Sequence, residues 1–100
     1  MNYGLAKALE EAGFTQGGEG KWIFPPEKLV AHSNDRVYIP TLDEIIDACG
    51  EQFCSFTKIY TGNRMQGWQA CSDKECFFSG EGATAKIAAA HLWLALNRKV

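Results

Sequence analysis

Proline is scarce in this one-hundred-residue chain, which holds three, and no apolar run is long enough to cross a bilayer. The longest such run, near the C-terminus, is broken by His91 and falls far short of about 20 residues. No basic, apolar, cleavable leader opens the sequence, because residues 1–12 already read as a helix. A cytoplasmic protein without a membrane span is the expectation. There is no G-x-S-x-G, no H-E-x-x-H, no phosphate-binding P-loop and no dinucleotide fingerprint. The carboxylate pairs Glu10/Glu11 and Asp43/Glu44 sit at helix ends, where capping or solvation explains them. A non-enzymatic protein is therefore expected. Lysine and arginine form no cluster of the kind that neutralises several phosphates.

What is present is apolar surface: 46% of the residues are hydrophobic and 22% charged. That balance is too apolar for a disordered tail and suits one globular domain spanning residues 1–100. The net charge of −2 is uneven. Residues 1–50 carry four Lys/Arg against eight Asp/Glu, a balance of −4. Residues 51–100 carry six against four, a balance of +2.

The pattern along the chain alternates helix and strand. Leu5, Ala6 and Leu9 have helical spacing within residues 3–12, and Gly13 is placed to stop that helix. Lys21-Trp22-Ile23-Phe24 reads as a short strand ended by Pro25-Pro26, and Val37-Tyr38-Ile39 as a second extended piece. Residues 27–36 fit either a helical turn or a loop. Thr41-Leu42-Asp43-Glu44 is a capping box that opens a helix running to about Cys49, with Gly50 after it. A strand from Phe53 to Tyr60, a turn at Thr61-Gly62-Asn63-Arg64 and a return strand from Met65 to Cys71 make a hairpin. A third strand is expected over Glu75 to Ser79, broken by Gly80 and Gly82. Thr84 then caps a last helix, Ala85 to Asn97. The order is α-β-α-β-β-β-α. The fold class is α+β: a three-stranded antiparallel meander with helices packed on one face.

Four cysteines form two C-x4-C pairs, Cys49/Cys54 and Cys71/Cys76. Four thiolates could close a structural zinc site, although such sites usually use a tighter C-x2-C turn. Cys49 has a simpler explanation, since Leu42, Ile45, Ile46 and Cys49 make one helical stripe. Cys71 and Cys76 flank a polar loop and would pair as a disulfide only in an oxidising compartment. Reduced, unligated cysteines and no cofactor are the expectation, with zinc as the alternative.

The last helix has more apolar surface than one face can use. Ala88, Ala89, Leu92 and Leu96 form a stripe for the sheet, while Ile87, Trp93 and Leu94 point elsewhere. Either the N-terminal helix or the Trp22-Ile23-Phe24 segment covers the second side, or a patch of Trp93, Ile87, Leu94 and Lys86 meets a protein partner or a second copy. His91 between these faces reads as a hydrogen-bonded structural residue.

Leu9-Glu10-Glu11-Ala12-Gly13-Phe14, the run Tyr38-Ile39-Pro40-Thr41-Leu42-Asp43-Glu44-Ile45-Ile46-Asp47-Ala48-Cys49-Gly50, and Ala89 to Asn97 carry a resemblance. Together they look like a group of small uncharacterised proteins of bacteriophages and prophage-like regions. Members of that group have an "EAGF" helix, a "PTLxELIxACG" helix, a β-hairpin and a closing "TPEEAVAxLWLAL" helix. The likeness implies a mobile-element accessory protein and brings no activity with it. Here Ala83-Thr84-Ala85-Lys86-Ile87 replaces the acidic start of the closing helix. In topology, a meander followed by Gly80-Glu81-Gly82 and an Ala-rich helix is also similar to double-stranded RNA-binding domains and to HicB-type antitoxins. The first likeness makes nucleic acid an alternative partner, through Lys58, Arg64, Lys86, Arg98 and Lys99. Of the RNA-binding helix's phosphate-contacting lysines, however, only Lys86 is kept.

Overall fold

The computed structural model describes residues 1–25, 36–72 and 78–97. They form three α-helices and two antiparallel sheets, an α+β structure. The chain divides into two compact units, residues 1–41 and 42–100. Among the described residues no helix is long and apolar enough to cross a membrane.

The first unit begins with α1, Tyr3–Glu11. Asn2 caps it, its side-chain oxygen accepting from the Leu5 amide at 2.9 Å. At the other end Gly13 takes a φ of +96°, which lets its own amide reach Glu10 O and the Phe14 amide reach Leu9 O. Those two bonds are the paired closure of a Schellman motif, and buried Phe14 and Leu9 are its apolar partners. Strands β1, Lys21–Ile23, and β2, Val37–Ile39, pair antiparallel, with Trp22 opposite Tyr38. The loop before β1 is pinned to β2. Gly20 donates its amide to the Tyr38 hydroxyl oxygen at 2.6 Å, and Gln16 Oε1 accepts from the Tyr38 amide. Pairing across the interval between β1 and β2 makes this a sheet of its own.

The second unit runs through α2, Leu42–Cys49, a 3₁₀ turn over Gly50–Gln52, and the strands β3, Ser55–Thr61, and β4, Arg64–Cys71. It ends in β5, Ser79–Gly82, and α3, Ala85–Asn97. The strand order is β3-β4-β5. Gly62 and Asn63 make the two-residue hairpin loop, with Gly62 at φ +62°. Thr84 caps α3, its hydroxyl accepting from the Ile87 amide.

The third strand differs from expectation. Gly80 and Gly82 do not break the sheet but build it, and the described strand is Ser79–Gly82 rather than 75–79; residues 75–77 lie outside the described residues. The cause is the closeness of α3. A Cβ on Gly80 would collide with the main chain of Leu92 and Ala88, and one on Gly82 with the Ile87 side chain. Only hydrogen at these positions, with Ala88 and Ala89 opposite, lets the helix lie against the strand.

Helix α3 packs on β4 and β5 and also on α2. Packing against more than one element is what its nearly all-round apolar surface serves. Trp93 is consequently buried, at 6% exposure, with Ala88, Ala89, Ala90 and Leu92. His91 is exposed and donates its Nδ1 hydrogen to the Glu81 carbonyl at 2.6 Å, tying α3 to β5. Its reading as hydrogen-bonded structure agrees with this contact.

Candidate functional site

The residues singled out from sequence on α3 do not form an open patch. Trp93 is in the core, while Ile87, Leu94 and Lys86 are half-buried. Of the two readings the sequence leaves open for this helix, burial holds for Trp93, with α2 and the sheet both claiming faces of the helix.

The cysteines are dispersed in chemical state. Cys49 is a free thiol buried at the end of α2, and desolvation pushes its pKa up to about 11. Cys54 is free and exposed. Cys71 is in a disulfide, which corrects the expectation that it is reduced; Cys76 lies outside the described residues. While oxidised, Cys71 has no thiolate to offer a zinc ion. Among the described residues no three His, Cys, Asp or Glu side chains are grouped as metal ligands. Of the basic residues considered for nucleic acid, Lys58 and Arg64 are exposed, Lys86 is half-buried, and Arg98 and Lys99 lie outside the described residues.

Apart from Phe78, just before β5, two surfaces among the described residues present large apolar side chains. In the first unit these are Trp22 and Phe24. Trp22 is already engaged within its own unit: the Arg36 guanidinium lies 4.3 Å from its ring centroid, and the Tyr38 ring 5.4 Å away.

The second surface is the far end of the β3–β4 hairpin. Ile59 pairs with Gly67 and Tyr60 with Met65, so Gln66 is an extra residue on β4, a β-bulge. Beyond it Tyr60 and Met65 face each other across the strands, 57% and 43% exposed. Nearer the body of the sheet, the register aligns Phe56, Ala70 and Gly80 in one row and Lys58, Trp68 and Gly82 in the next, on the side of α3. Phe56 meets Phe53 and Trp68 edge-on, with centroids 4.9 and 6.3 Å apart. The Lys58 ammonium lies 5.4 Å from the Trp68 ring. The hairpin has one further property. From Phe53 to Ser72 the sequence has no Asp or Glu, and its charges are Lys58 and Arg64. An apolar pair is thus carried by an acid-free, positively charged element of a chain whose net charge is negative.

The whole sequence matches no protein-family model, no curated protein and no solved structure.

Proposed function

We propose that this chain is a small non-enzymatic accessory protein, of phage or mobile-element type, that acts by binding another protein through the β3–β4 hairpin. The observation that carries the binding reading is the exposed Tyr60–Met65 pair. Aromatic residues and methionine are enriched at protein interfaces, and here one of each sits exposed side by side on a hairpin end. The phage or mobile-element origin rests on the sequence resemblance alone.

Capture from host lysate tests this reading. Wild-type chain should recover a defined protein that a Tyr60→Ser/Met65→Ser variant, matched to it by circular dichroism, no longer retains. Equal recovery by both, or no recovery by either, overturns it. A nucleic-acid reading draws on one observation, the order α2-β3-β4-β5-α3, which is that of double-stranded RNA-binding domains. Electrostatics oppose it, since residues 42–100 carry six Lys/Arg against seven Asp/Glu. A salt-sensitive gel shift with double-stranded RNA would favour it.

A further inference from the structure

The outer edge of β3 carries the protein-binding reading one step further. With the order β3-β4-β5, β3 has a strand on one side only among the described residues. Its seven residues, Ser55–Thr61, leave a row of main-chain donors and acceptors facing outward. Phe56, Thr57, Ile59, Tyr60 and Thr61 are residue types that suit a pleated strand. Such an edge is a template for one more strand.

Two features select the occupant. Pairing β3 antiparallel with a second copy over its full length sets Lys58, its central residue, against the same lysine. Like charges placed directly opposite destabilise a ladder, and a lysine on an edge strand is a common guard against self-pairing. The hairpin also has Lys58 and Arg64 and no carboxylate between Phe53 and Ser72 to answer them. An incoming strand that supplies carboxylates meets an uncompensated charge.

We propose that β3 takes up an extended acidic segment of the partner protein as a fourth strand, with a carboxylate beside Lys58 and an apolar side chain beside Tyr60. This rests on the reading that the hairpin binds a protein, and it names that partner's chemistry and mode of attachment.

The test uses the full chain and two short blocked peptides, one carrying glutamate and valine two residues apart so that both lie on one face of the strand, and the other with lysine in place of that glutamate. Amide hydrogen exchange is followed residue by residue. The acidic peptide should slow exchange of those β3 amides that face away from β4 by on the order of tenfold, and the basic peptide should not. Lys58→Glu should reverse that preference; the side chain is exposed, so the variant keeps its fold. Four results overturn the proposal: no slowing by the acidic peptide, equal slowing by both, protection confined to Trp22 and Phe24, or protection of β3 by self-association without peptide. Stronger protection of the same amides by single-stranded polyuridylate than by the acidic peptide also overturns it. The two readings fail separately. If the peptides leave β3 untouched while the Tyr60→Ser/Met65→Ser variant still loses its captured protein, strand addition falls and protein binding stands. If that variant keeps its partner, the hairpin reading itself falls.

Discussion

Single atoms decide several properties of this chain. A methyl group at residue 80 would meet the main chain of α3, and main chain cannot rotate aside. Gly80→Ala should therefore lower stability by about 3 kcal/mol, read as a shift of the urea midpoint, in the range usual for overpacking. The two free thiols should differ sharply in reactivity. Cys49 is buried and its ionisation is displaced to about 11, whereas Cys54 is exposed. Iodoacetamide at pH 8 should label Cys54 in the native protein and reach Cys49 only after unfolding, a difference that peptide mass spectrometry detects. The same displacement has a pH signature. An unfolded Cys49 ionises near 9.0 while the folded one keeps its proton to about 11. Stability from this group is intact below pH 9 and falls as pH rises through that interval. Cys49→Ala should flatten that part of the curve.

At the level of elements, helix ends are fixed by local chemistry. Thr84→Ala removes the hydroxyl that accepts from the Ile87 amide and should cost about 1 kcal/mol in chemical denaturation. These ends were legible in the sequence for the same reason: Gly13, Gly62-Asn63 and Thr84 act on neighbours a few residues away. The hairpin and the α+β class followed from them and from the aromatic, β-branched run after Phe53. Features set by distant partners were not legible. Gly80 and Gly82 read as breakers because their real constraint, the main chain of α3 for Gly80 and the Ile87 side chain for Gly82, lies on another element. The β1–β2 sheet joins strands separated by an interval that carries no pairing signal. Trp93 looked available because a helical wheel shows an apolar arc without showing that α2 and the sheet each cover part of the helix. The exposed Tyr60–Met65 pair depends on a bulge at Gln66, which alternation does not reveal, although the acid-free run from Phe53 to Ser72 was visible throughout.

For the whole molecule, charge and oxidation state govern behaviour. Attachment through Lys58 and Arg64 should weaken as salt rises from about 0.05 M to about 0.5 M, because exposed charges are screened over a shortening distance. A salt-independent affinity would assign the contact to Tyr60 and Met65 alone. The Cys71 disulfide makes stability redox-dependent. Dithiothreitol should lower the unfolding temperature by the equivalent of about 2 kcal/mol, and Cys71→Ser should be insensitive to it. The glycines of the sheet bear on kinship as well. Side chains in an ordinary core can be exchanged for others of similar volume, so core sequences diverge while folds persist. Where strand meets helix main chain at Gly80, and strand meets strand at Gly67, there is no side chain to exchange and no side-chain change elsewhere makes room. Distant relatives should thus be recognised by glycines at this spacing, followed by an alanine-rich helix, after their apolar residues have drifted beyond recognition.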